Sequence, residues 1–165
     1  MFNRREAIAA GGGALLLAGC GGTKALTRAG NPADLRYLSA ALELERAQIA
    51  LYEGALRAHL SAAQSALAHN LLAQEHAHAD ALAEAIRELD ATPAAPRAAA
   101  VYTRGLPHVD AAATRWLRVA IAHEHGVTGA YAQAIPKLAN DRLRGTFGAI
   151  MTAEAEHATA LELAR

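Results

Sequence analysis

Glu45, Glu75-x-x-His78, Glu124 and Glu154-x-x-His157 are the residues of this chain whose types and spacing could do chemistry. Each acid interrupts a run of apolar residues at helical spacing. Glu45 falls between Leu42 and Ile49, and Glu124 between Ile121 and Thr128. Glu75 falls between Leu71 and Leu82, and Glu154 between Ile150 and Leu161. Residues three apart share a helix face, so each histidine stands one turn beyond its glutamate on the same side. An ionised carboxylate buried without a partner costs several kcal/mol even after relaxation. Four that converge also repel, and some must take up protons. Two divalent cations resolve both problems, because four negative charges then meet four positive ones and neutral imidazoles complete the shells. Carboxylate and imidazole without thiolate suit iron or manganese, and also zinc. The competing reading is a metal-free helical scaffold whose internal glutamates are protonated or paired with histidine.

An internal repeat links these residues. Glu45 and Glu124, Tyr52 and Tyr131, Glu75 and Glu154, and His78 and His157 are all 79 residues apart. Leu38 and Leu117, Leu42 and Ile121, Leu56 and Ile135, and Leu82 and Leu161 share that offset. With 11 glutamates and 8 histidines, roughly half a Glu-x-x-His match arises by accident. Two such matches, with two Glu-x6-Tyr matches in the same register, argue for related helix pairs around one centre. Tyr37 and Trp116 also share the offset and read as core or end-packing residues. His76, His123 and His125 neighbour the glutamates in sequence, but helical geometry points them elsewhere, to a surface or helix flank.

The elements that must position these residues are helices. The 165-residue chain is 53% hydrophobic, only 4% aromatic and rich in alanine, the best helix former. Sixteen basic residues balance sixteen acidic ones. No basic block stands out, so nucleic acid is not an expected partner. The pattern predicts an all-α, antiparallel four-helix bundle. The helices are expected at about Asp34–Leu60, from a Ser61/Gln64 capping box to Leu89, at Ala111–Ile135, and at Asp141–Ala164. Pro136 is expected to end the third. The first two helices are joined tightly, as are the last two. Between the pairs, Asp90 to Asp110 carries Pro93, Pro96, Gly105 and Pro107, and is long enough to cross the bundle. One long crossover between helices two and three is the expected topology.

The first 20 residues read differently. Arg4 and Arg5 precede a short apolar run, Ala7 to Leu17, too short to remain as a membrane span. Leu17-Ala18-Gly19-Cys20 follows, and Cys20 is the single cysteine. This resembles a bacterial lipoprotein leader, whose cysteine is lipidated and anchors the mature protein. Asn3-Arg4-Arg5-Glu6-Ala7-Ile8 loosely resembles a twin-arginine export signal. The expected organisation is an export leader over 1–20, a flexible tether over 21–33 and the helical domain over 34–165. The expected location is extracytoplasmic, on the bacterial cell membrane or envelope.

The order Glu, Glu-x-x-His, Glu, Glu-x-x-His resembles the ferritin-like di-iron carboxylate superfamily, bacterioferritin in particular. Leu42-Glu43-Leu44-Glu45 with Leu51-Tyr52 also resembles the bacterial secreted ferritin-like domains of the desiccation-related family. The resemblance implies that Glu45 and His78 bind one metal, Glu124 and His157 the other, and that Glu75 and Glu154 bridge them. It implies that Tyr52 and Tyr131 hydrogen-bond a carboxylate across the bundle. It further implies two metal ions, iron first, that react with oxygen or peroxide in a ferroxidase-like oxidation. Gln48 departs from the pattern, standing where many relatives carry a second acid. Nothing in the sequence suggests a fifth helix or cage contacts, and a lipid anchor sits badly with a closed shell, so a homodimer is the expected assembly rather than a cage. The alternative within the family is a metal-binding envelope module without turnover, serving a structural or stress-protective role.

Overall fold

The structure, a computed structural model, describes residues 31–104 and 113–165. Helix α1 is Pro32–Leu56. It starts two residues before Asp34 because the Asn31 side chain accepts from the Ala33 amide at 2.9 Å, and Pro32 fits the first turn, where no amide hydrogen is needed. It ends at Leu56, short of Leu60, and residues 57–60 turn the chain toward Ser61. Helix α2 is Ala62–Glu88. Its capping box is formed: Ser61 Oγ accepts from the Gln64 amide at 3.2 Å, and Gln64 Oε1 accepts from the Ser61 amide at 3.1 Å. At its far end the amide of Ala91 donates to the Ile86 carbonyl and that of Asp90 to Arg87. This closing turn holds Asp90 at φ 57°, a left-handed conformation that glycine adopts more readily.

The crossover contains a helix that the sequence pattern does not announce, α3, Ala99–Tyr102. Its approach is pinned to α1. Arg46 donates to the Ala94 carbonyl at 2.7 Å, Arg97 pairs with Glu43, and the Arg97 guanidinium lies 5.0 Å from the centre of the Tyr102 ring. Helix α4 is Ala113–Ala134. It tightens into a 3-10 turn, Ile135–Lys137, that contains Pro136. Helix α5 is Asp141–Leu163. It is capped by Asn140, whose side chain accepts from the Arg142 amide at 2.9 Å. Buried Asp34 on α1 accepts from the Ala139 amide at 2.8 Å, tying the start of the bundle to the α4–α5 connection.

Cross-bundle pairs fix the topology. Tyr52 meets Glu124 and Tyr131 meets Glu45, so α1 and α4 are antiparallel. His78 meets Glu154 and His157 meets Glu75, so α2 and α5 are antiparallel. The sequential pairs α1–α2 and α4–α5 have the most extensive packing. This is the four-helix bundle with one long crossover expected from the connection lengths.

The core divides into two apolar clusters. One gathers Leu38, Leu42, Leu82, Ile86, Val127, Tyr131, Phe147 and Ile150. The other gathers Leu51, Tyr52, Leu71, Trp116, Leu117 and Leu161. In sequence, every interrupting acid falls between a residue of one cluster and a residue of the other. Tyr131 packs edge-on against Phe147 in the first cluster, and Tyr52 edge-on against Trp116 in the second. The helical pattern placed Ile121, Thr128 and Ile135 on the α4 stripe, yet these are half-buried. Trp116, Ala120 and Val127 are buried in full beside Leu117 and Tyr131. Among the described residues no helix is long and apolar enough to cross a membrane. Cys20 and the leader lie outside the described residues.

Candidate metal centre

The layer between the two clusters is polar and closed. Glu45, Glu75 and Glu154 have no exposed surface, Glu124 is 1% exposed and His157 3%. His78 is the most open of the six, its side chain 15% exposed. The six form two overlapping groups. Glu45, Glu75, His78 and Glu154 bring ligand-type atoms within 4.8 Å of one another, and so do Glu75, Glu124, Glu154 and His157. Glu75 and Glu154 belong to both groups. His78 Nδ1 lies 3.0 Å from Glu154 Oε1, and His157 Nδ1 lies 3.0 Å from Glu75 Oε1. The two imidazoles stack with centres 5.8 Å apart.

Tyr52 and Tyr131 brace this layer from either side. The Tyr52 hydroxyl donates to Glu124 Oε1, and the Tyr131 hydroxyl to Glu45 Oε1. Each bond crosses from one half of the repeat to the other. It fixes one carboxylate oxygen and leaves the second turned inward. Those inward atoms have no hydrogen-bond partner: Glu45 Oε2, both oxygens of Glu75, Glu124 Oε2, Glu154 Oε1, and Nδ1 of His78 and of His157. The close histidine–glutamate approaches lack hydrogen-bonding geometry. Buried polar atoms are nearly always satisfied, so unsatisfied donors and acceptors on all six residues of one cluster call for an unshared partner. Metal cations are a partner that this set of oxygen and nitrogen donors fits. The cluster is compatible with metal binding.

A profile of the ferritin-like domain matches residues 33–165. The chain belongs to the ferritin-like domain family. Among solved structures, it resembles the crystal structure of a conserved hypothetical protein, rv2844, from Mycobacterium tuberculosis. The TM-score is 0.71 at 20% identity, covering 81% of this chain and 97% of that one. That likeness supports the shared fold. No curated protein matches the chain.

Without cations the ferritin-like domain settles its charge with protons. Burial raises Glu45 to about 8 and Glu124 to about 11, the latter helped by the neighbouring Glu154 carboxylate. Burial also works against an ionised Glu75 and Glu154, but the close imidazoles of His157 and His78 outweigh it and hold both below the usual carboxylate range. Burial disfavours charged histidine as well. Contacts with Glu154, Glu45 and Glu75 nonetheless lift His78 to about 11, and contacts with Glu154 and Glu75 lift His157 to about 9. At neutral pH two glutamates are therefore ionised, two are neutral and two imidazoliums balance the charge. The neighbouring acids and burial raise both tyrosines, so their hydroxyls stay protonated and donating.

Three supporting side chains were not assigned partners by the sequence reading. Buried Gln48 donates through Nε2 to Glu154 Oε2 at 2.7 Å. His123 Nδ1 lies 3.2 Å from Gln48 Oε1, so His123 is half-buried and linked to the centre through Gln48. Gln74 Oε1 lies 3.2 Å from His157 Nε2. Gln48 stands three residues after Glu45, a spacing that signals a shared face; Gln74, adjacent to Glu75, carries no such signal. His76 and His125 are exposed, His125 pairing with Glu162 at 3.1 Å.

Proposed function

We propose that this ferritin-like domain holds two divalent metal ions, iron in first place, and oxidises ferrous iron with oxygen or peroxide. The observation that carries this reading is the set of seven buried, unpartnered oxygen and nitrogen atoms converging from four helices. Glu45 and His78 would hold one ion, Glu124 and His157 the other, and Glu75 and Glu154 both. Manganese or zinc suits the same atoms. Bound iron would supply the electrons for reduction of the oxidant. The protein's own part is to hold and to exclude. The carboxylates keep enough negative charge for either oxidation state. The hydroxyls of Tyr52 and Tyr131 fix the outer oxygens of Glu124 and Glu45, so each carboxylate presents a set edge. The apolar clusters above and below keep water out. Small oxidants would approach on the side of His78, the most exposed of the six.

The domain would work outside the cytoplasm, anchored through lipid on Cys20. Leu17-Ala18-Gly19-Cys20 after a short apolar run supports that placement. Two experiments test the proposal. Apo protein mixed with ferrous iron in air should develop ferric absorbance well faster than buffer, and the Glu75→Ala/Glu154→Ala double variant should not. Iron that binds at full stoichiometry without faster oxidation would instead indicate a passive binding module. Wild type should partition with membranes and Cys20→Ala should not; a wild-type chain that stays soluble contradicts the anchor.

A further inference from the structure

We infer that the two metal positions are inequivalent, and that Gln74 and Gln48 make them so. The position bounded by Glu124 and His157 fills first and tightly; that bounded by Glu45 and His78 fills second and exchanges. This rests on the two-metal reading above. The 79-residue repeat supplies both positions with the same glutamate, histidine and tyrosine, so a fully symmetric chain would give two equal sites. The symmetry fails at two buried or half-buried polar side chains, and both act on the same side.

Gln74 Oε1 lies 3.2 Å from His157 Nε2. An amide oxygen only accepts, so it holds the proton on Nε2 and leaves Nδ1 to face the carboxylates. The counterpart of Gln74 in the repeat is Ala153, which has no polar side chain to offer His78. Gln48 Nε2 donates to Glu154 Oε2, the oxygen 3.7 Å from His157 Nδ1. Gln48 is itself held by His123. Its counterpart is Val127, and both oxygens of Glu75 are accordingly without a partner. Exposure follows the same division, 3% for the His157 side chain and 15% for His78. A ligand already oriented and dry loses less freedom on binding, and outer hydrogen-bond partners of metal ligands are worth about 10–100-fold in affinity.

The test is a titration of the apo full chain with cobalt(II) against a chromophoric chelator. Wild type should take two equivalents in two steps at least about tenfold apart. Gln74→Ala should weaken the tighter step about 10–100-fold and leave the weaker step little changed. Ala153→Gln gives His78 the partner it lacks and should strengthen the weaker step, a gain that a damaged fold cannot mimic. Gln48→Val, which copies Val127, should narrow the gap. Two equivalents bound in one indistinguishable step by wild type would overturn the inference, as would Gln74→Ala weakening both steps alike or Ala153→Gln leaving the gap unchanged. Wild type that binds no cobalt at all would overturn the two-metal reading itself, and this inference with it.

Discussion

At the scale of single residues, the centre is a problem in placing protons. Glu45, Glu124, His78 and His157 all hold a proton above neutral pH in the metal-free chain, while Glu75 and Glu154 give theirs up. In the window between a histidine's ordinary value of 6.5 and its raised value, about 9 for His157 and about 11 for His78, only the folded chain keeps that proton. Their contribution to stability is complete below pH 6.5 and is lost as pH rises through the raised values. Glu45 and Glu124 act in the same direction from 4.5 upward. The contribution of Glu75 and Glu154 is lost only on the acid side of 4.5. Thermal unfolding of the apo form should therefore occur at lower temperature at pH 9 than at pH 6.5. Metal competes for the same atoms, so its affinity should rise with pH and the loaded form should show the opposite trend. A like trend in both forms would contradict this charge assignment. Tyr52→Phe and Tyr131→Phe each remove the donor to a buried carboxylate oxygen. Each should cost about 1–3 kcal/mol in urea unfolding of the apo form. The six ionisable residues were legible in the sequence because an acid in an apolar stripe violates burial rules, and the repeat shows the violation twice. Gln48 stood out only as a departure from the pattern, without its partners Glu154 and His123, and Gln74 and Asp34 did not stand out, because a neutral or terminal polar residue becomes informative only when its partner on another element is known.

At the scale of elements, the helix ends explain why the boundaries could be anticipated to within a few residues. Asn31, Ser61 and Asn140 cap their helices with side-chain oxygens, and Pro32 and Pro136 mark where a backbone amide can be absent. Ser61→Ala should lower stability by about 1 kcal/mol, since it removes one half of the capping box. Asp90→Gly should raise stability by roughly 0.5–1 kcal/mol, because it relieves a left-handed β-carbon. Chemical denaturation of the two variants beside wild type checks both signs. Helix α3 escaped notice for a physical reason. Four residues, Ala-Ala-Val-Tyr, are too few to carry a period, and what holds them is long-range: Arg97 and Tyr102 against Glu43 on α1. The buried face of α4 was also read a little off centre. Ala120, one turn before Glu124, is fully buried where the apolar pattern alone favours Ile121.

At the scale of the whole molecule, two antiparallel helix pairs, related by the repeat and joined by a crossover, bring four separate segments to one layer between two apolar clusters. Connection lengths made that topology legible before any coordinates. The proposed export and lipid anchor rest on the short leader pattern ending at Cys20, where neither burial nor helical periodicity enters the argument. The central claim concerns that one layer. Load the purified chain with ferrous iron or manganese without air, remove unbound ions, and determine metal per chain by elemental analysis, with Glu75→Ala/Glu154→Ala in parallel and helicity verified by circular dichroism. The account predicts two ions per wild-type chain and a near-complete loss in the helical double variant. A wild-type chain that folds and retains no metal, or a double variant that retains as much as wild type, would contradict it.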